Sequence, residues 1–253
     1  MVSLARVSDL NELITLASRR FIETITQIQF SGALHGDGLV RVVLTGGGAG
    51  IGLLKELARL DAAAEAQSES FPTLRVDWSR VHIFFGDERN VPVSHQDSNE
   101  GQARDTLLKH ISIPEGNIHG YGLNGQDLDE AAAEYEKTVR RHAPDGFDLH
   151  LLGMGGEGHI NSLFPHTDAV REKEKLVMAV KDSPKPPAER VTLTMPAINS
   201  SGRVWLLVAG AEKASAAAAV MRSAEAVDWP AAGVGGTKET VLFLTDDAAT
   251  ELG

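Results

Sequence analysis

The feature that most constrains the fold is an alternation. Short β-branched or apolar runs each close on a glycine-rich or charged loop, and helical periodicity separates them. Residues 40–44 (VRVVL) lead into Thr45-Gly46-Gly47-Gly48-Ala49-Gly50, and a helix is predicted over 51–66. Residues 81–85 (VHIFF) end in Gly86-Asp87-Glu88-Arg89, and 147–152 (FDLHLL) in Gly153-Met154-Gly155-Gly156-Glu157-Gly158-His159. Further strands are predicted at 176–180, 191–194, 204–209 and 240–244, and helices at 10–30, 102–110, 128–141, 211–222 and 246–252. Such a chain builds a largely parallel sheet with helices on both faces, and ligands gather beyond the carboxyl ends of the strands. The glycine-rich and charged segments fall at those ends. No internal repeat, low-complexity tract or Pro/Ser-rich linker is present, so a single domain over 1–253 is expected.

Composition narrows the function. The net charge of −11 disfavours nucleic acid and anionic membranes as partners, so an anionic ligand would need a local cluster of cations and N–H donors. The absence of Cys removes disulfides, thiolate nucleophiles and Cys-based zinc sites together. Residues 1–17 mix Arg6, Asp9 and Glu12 into the apolar positions, and no apolar run is long enough to cross a bilayer. The cytoplasm is therefore the expected location.

Four segments could carry chemistry. The glycines at 46–48 let backbone N–H groups crowd around an anion at a helix N-terminus, although a tight strand-to-helix turn would look the same. They fit neither a Walker loop nor G-x-G-x-x-G. Arg89 could fork onto phosphate oxygens with Asp87 or Glu88 orienting it, and Asp97-Ser98-Asn99 could cap the helix that follows. Gly153, Gly155 and Gly158 mimic a dinucleotide fingerprint, with Asp182 as its acid, but Pro165 would curtail the helix that should hold a pyrophosphate. His159, at the exit of that loop, is placed as a general base instead. Finally, Pro184, Pro186 and Pro187 stiffen the loop bearing Lys185, just ahead of Arg190. Lys213 carries little weight, Ser162 and Ser183 lie in no nucleophile motif, and the metal signal is weak, with His159 and His166 seven apart and no H-E-x-x-H.

Taken in order along the chain, these segments resemble the 6-phosphogluconolactonase family. The likeness runs through Leu44-Thr45-Gly46-Gly47-Gly48, Asp87-Glu88-Arg89 with Asp97-Ser98-Asn99, Leu152 to His159, and Ser162-Leu163-Phe164-Pro165. It continues through 183–187, 190–194 and Trp229-Pro230-Ala231. The resemblance implies a Rossmann-like three-layer sandwich shared with the sugar-phosphate isomerase/deaminase superfamily. It also implies hydrolysis of 6-phospho-D-glucono-1,5-lactone to 6-phospho-D-gluconate, with no cofactor and no metal. Two positions depart from the family pattern. Glu157 stands where Asp is usual, and Gly47-Gly48-Ala49-Gly50-Ile51 replaces Gly-Gly-Ser-Thr-Pro, so any phosphate there must rest on backbone N–H groups.

Lactone opening by water needs a base, donors for the oxyanion and a proton for the leaving ring oxygen. By motif position, His159 is the expected base, with Glu157 or Asp87 orienting or stabilising it. Gly46, Gly47, Gly48, Arg89 and Lys185, with Arg190 in second rank, are the expected phosphate binders. Rival readings are a glucosamine-6-phosphate deaminase or isomerase, a non-catalytic sugar-phosphate sensor, and a dinucleotide-dependent dehydrogenase. The deaminases usually read Ala-Phe-Asn-Glu-Pro after Gly-His-Ile, where this chain has Asn161-Ser162-Leu163-Phe164-Pro165 and lacks that acid. A monomer is compatible with the sequence, which does not encode the oligomeric state.

Overall fold

A computed structural model describes residues 1–67 and 74–252. In chain order its elements are β1 (Ser3–Val7), α1 (Leu10–Ser31), β2 (Val40–Leu44), α2 (Gly47–Gln67), β3 (Val81–Phe85), β4 (Asp87–Arg89), α3 (Asn99–Thr106) and α4 (Leu128–His142). There follow β5 (Leu149–Leu152), α5 (Asp168–Arg171), β6 (Val177–Val180), β7 (Arg190–Leu193), α6 (Met195–Asn199), β8 (Arg203–Val208), α7 (Ala214–Met221) and β9 (Glu239–Thr245).

Six strands form one sheet in the order β1-β9-β8-β5-β2-β3, and every pairing in it is parallel. The alternation of side chains along β8 and β9 shows that both faces are covered. Trp205, Leu207, Val241 and Phe243 share a core with Leu13 and Phe21 of α1 and Leu53 and Leu57 of α2. Val204, Leu206, Leu242 and Leu244 pack on the opposite side with Ile198 of α6 and Ala217 and Val220 of α7. Each such large side chain, withdrawn from water, contributes about 1.5–3 kcal/mol. The expected α/β sandwich is thus the architecture observed.

The sheet order also says where a ligand belongs. From β2 the chain steps outward to β3, then returns to lay β5 on the other side of β2 and continues to β8 and β9. The winding reverses between β2 and β5, which opens a crevice at their carboxyl ends.

Several elements differ from expectation. The strands foreseen at 176–180 and 191–194 do not join the main sheet; as β6 and β7 they form an antiparallel ribbon with β4, in the order β4-β7-β6. β4 was not legible, because three charged residues become a strand only by pairing with β7. β1 was also unforeseen; it is an edge strand with only Val7 buried, so it lacks the apolar run that marks the inner strands. α2 begins at Gly47, four positions before the expected 51, so the glycines form its first turn. α3 starts at Asn99 because Ser98 Oγ caps it, accepting from Gly101 N at 3.0 Å, and only a 3₁₀ turn follows at Leu108–His110. The helix foreseen at 211–222 is a 3₁₀ turn followed by α7, and 246–252 holds a 3₁₀ turn at Asp247–Ala249.

Candidate active site

A cleft opens at the reversal of the sheet, lined by Thr45 to Gly50 beyond β2 and by Gly153 to Gly155 beyond β5. Gly153 N donates to Thr45 Oγ1 at 3.0 Å and ties the two strand ends together. The first-turn N–H groups of α2 have no intrahelical acceptor and carry the positive end of the helix dipole. Gly46, Gly47 and Gly48 therefore present donors to the cleft without side chains in the way.

The loop after β5 delivers His159 to the same cleft. Gly155 N donates to His159 O (3.0 Å) and Gly158 N to Gly155 O (2.9 Å), which folds the loop back on itself. A Cβ at Gly155 would lie 2.1 Å from His159 Nδ1, so only glycine admits the ring. The imidazole stacks on Phe164 at 4.5 Å between centroids. Its Nδ1 is buried with no hydrogen-bond partner among the described residues, leaving Nε2 as the accessible nitrogen. Glu157 Oε1 lies 3.1 Å from Nδ1 without a hydrogen bond in line, so it becomes an ionic partner of the ring when His159 is protonated. Burial pushes the His159 pKa below its ordinary value; Glu157 opposes that shift and Lys185 reinforces it. The ring is neutral at neutral pH, the form a base requires.

Lys185 lies beside the cleft rather than in its lining. Its Nζ lies 2.8 and 3.0 Å from the two oxygens of Glu157. Burial alone would raise the Glu157 pKa, but the Lys185 hydrogen bond and the nearby His159 outweigh it and hold the carboxyl at about 2. Lys213 does line the cleft, and its ammonium has no hydrogen bond or ion pair among the described residues. The sequence held a usable signal for it: Lys213 follows the carboxyl end of β8, as the other candidate segments follow β2, β3 and β5.

The β4–β7 pair supplies the remaining polar wall. Arg89 and Arg190 are directly opposed across it. Arg89 Nη1 donates to Asp97 O (3.1 Å) and to Asn99 Oδ1, while its Nε is buried without a partner among the described residues. Arg190 donates from Nε to Pro187 O (2.9 Å) and from Nη2 to Lys185 O (2.9 Å), so it clamps the proline loop as well as facing the cleft. Asp87 accepts from Ser162 Oγ (2.6 Å) and Asn99 Nδ2 (2.9 Å), with Arg190 Nη1 at 3.7 Å. It acts on His159 only through space, favouring the charged ring. Glu88 is buried beneath, accepting from the backbone N of Arg89, Asn99 and Glu100 and from Ser98 Oγ, and so joins β4 to the start of α3. The sequence assigned Asn99 only to capping and gave Asn161 no role, although both line the cleft.

A neutral imidazole facing a helix N-terminus and several cations, at the switch point of a doubly wound sheet, defines an α/β protein built to act on a small anion. The sequence family agrees. Residues 8–243 match the family described as glucosamine-6-phosphate isomerases/6-phosphogluconolactonase, and the chain belongs to it. It is 44% identical to a 6-phosphogluconolactonase of Mycobacterium leprae over 97% of this chain and 96% of that one. It is 45% identical to one of Mycobacterium tuberculosis over 96% of each. Among solved structures, the 6-phosphogluconolactonase of Thermotoga maritima superposes with a TM-score of 0.77 at 28% identity, covering 97% of this chain and 100% of that one. A monomeric glucosamine-6-phosphate deaminase shares the fold at 20% identity, with a TM-score of 0.78 over 98% of this chain and 99% of that one.

Proposed function

We propose that this chain hydrolyses 6-phospho-D-glucono-1,5-lactone to 6-phospho-D-gluconate, the second step of the oxidative pentose phosphate pathway, acting as one domain in the cytoplasm. The observation that carries this reading is a neutral His159, with Nε2 accessible, in one cleft with Arg89, Lys213 and the first turn of α2. The cations and helix N–H groups hold the phosphate, and that remote binding energy positions the lactone carbonyl. His159 Nε2 takes a proton from water as the water oxygen bonds to the carbonyl carbon, whose π electrons move onto its oxygen. Collapse of the tetrahedral intermediate breaks the bond to the ring oxygen, which takes the proton back from His159. The new acid group then ionises in solution. Glu157 stabilises the imidazolium between the two steps, and Asp87 adds to the same field.

The test generates the lactone in situ with a glucose-6-phosphate dehydrogenase and follows its loss with and without the protein. Hydrolysis above the spontaneous background supports the reading. Decay at the background rate rejects it, and ammonia release from glucosamine-6-phosphate would replace it with the deaminase reading.

A further inference from the structure

The weak metal signal of the sequence lay at His159 and His166, but the fold gathers three other histidines at the outer edge of the sheet. His82 lies on the edge strand β3, His119 follows a segment that bridges to that strand at Ile118, and His142 ends α4. None of them lines the cleft of His159. Their backbones are pinned. His119 N donates to Ile83 O (2.8 Å) and its carbonyl accepts from the Tyr135 hydroxyl (3.1 Å). His142 O accepts from Arg41 Nε (2.8 Å), and Arg41 stands in register with His82 across β2 and β3.

The His82 and His119 rings are nearly coplanar, 14° apart, with Nδ1 of the first 2.8 Å from Nε2 of the second. The His142 ring stacks on His119 at 4.3 Å. One nitrogen from each ring lies within 4.8 Å of the other two. Three nitrogens on a tetrahedral zinc, each about 2.0–2.1 Å from it, stand about 3.3 Å apart. Rotation of the half-buried His82 and His142 rings closes that gap. Whichever of His82 and His119 brings the hydrogen between them moves it to its other nitrogen, which frees both lone pairs. Among the described residues none of the three pairs with a carboxylate, whereas His35, His95, His159 and His166 each do. Burial, seconded by Arg41 at His82 and by Arg141 at His142, keeps the rings below the ordinary histidine pKa and so in the neutral form that binds metal. Both oxygens of Asp37 hold the Arg41 guanidinium (2.8 and 2.7 Å), which offsets its charge. We infer that His82, His119 and His142 form a site for a zinc-type divalent ion, with water completing the shell, that clamps the end of α4 to β3. Imidazoles without a hard oxygen donor select such ions over magnesium or calcium.

The test titrates the chelator-treated whole chain with zinc chloride by calorimetry and follows its thermal melting. Wild type should take up zinc saturably and melt at a higher temperature with the metal bound, because only the folded chain holds the three ligands together. His82→Ala and His142→Ala should each weaken that uptake at least tenfold, since loss of even an outer-shell partner of a metal ligand costs about 10–100-fold. Both side chains are half-buried, and metal-free melting curves of the two variants verify that each still folds. No saturable uptake by wild type overturns the proposal. Uptake undiminished in either folded variant overturns it as well, because the zinc then sits on other groups.

Discussion

Lys185 places its ammonium 2.8 Å from Glu157 Oε1, and that same oxygen lies 3.1 Å from His159 Nδ1. The proline loop is thereby coupled electrostatically to the base, because Glu157 raises the His159 pKa and Lys185 lowers it. Activity should rise with pH as His159 loses its proton, with the acid limb below the ordinary histidine value. Glu157→Gln should move that limb to lower pH and Lys185→Met to higher pH. Profiles of kcat/KM against pH check this, and limbs that fail to move in opposite directions would disconnect the pair from the base.

His159→Ala removes the base. Turnover should fall by about 10²–10⁴-fold while substrate affinity is largely retained. Steady-state kinetics decide it, and unchanged kcat would remove His159 from the mechanism.

The phosphate grip is divided among cations that the structure distinguishes. Among the described residues Lys213 has no ion-pair partner in the cleft, whereas Lys185 pairs with Glu157. Lys213→Ala and Arg89→Ala should each raise KM for the phosphorylated lactone by at least tenfold, the loss of about 1.4 kcal/mol or more expected for a charge-assisted hydrogen bond. Neither should change hydrolysis of unphosphorylated gluconolactone to the same degree. Equal effects on both substrates would mean these side chains do not read the phosphate.

Glu88 is a matter of stability as well as position. Its buried carboxylate accepts from three backbone N–H groups and one hydroxyl, so Glu88→Ala strands four donors. A loss of about 3 kcal/mol is expected from unfolding curves, with Arg89 and Asn99 released at the same time. A variant as stable as wild type would show that water replaces the carboxylate at no cost.

A histidine cluster at the edge of the sheet should make the stability of the metal-free chain fall in acid. His82 Nδ1 lies 2.8 Å from His119 Nε2, and the His142 ring stacks on His119 at 4.3 Å. Burial, with the neighbouring rings adding to it, holds the His119 pKa at about 4, below the unfolded value of about 6.5. Between those values the unfolded chain binds more protons, so stability falls as pH drops through that window and is level above it. The loss from His119 alone is about 3 kcal/mol. His119→Phe should flatten the dependence in thermal melts from pH 7 to 4, and an undiminished slope would place its origin elsewhere.

Much of the site was readable before the fold. His159, Arg89, Asp87, Arg190 and the glycines at 46–48 all line one cleft, because strand ends in a parallel sheet converge whatever lies between them. Lys185 was not readable in the same way. Its partner is a carboxylate 28 positions away, and nothing local says which charge a flexible side chain will meet. Asn161 was missed because its place in the cleft lining exists only in three dimensions.

The amino-acid order alone determined the parallel core, the helices that flank it and the kinds of chemistry available, since periodicity and residue type are local properties. Tertiary structure alone decided that β4, β6 and β7 leave the main sheet, that Lys213 enters the cleft and that Lys185 turns to Glu157. Those outcomes depend on pairing energies between residues far apart in the chain, which come into play only after the backbone has brought them within a few ångströms.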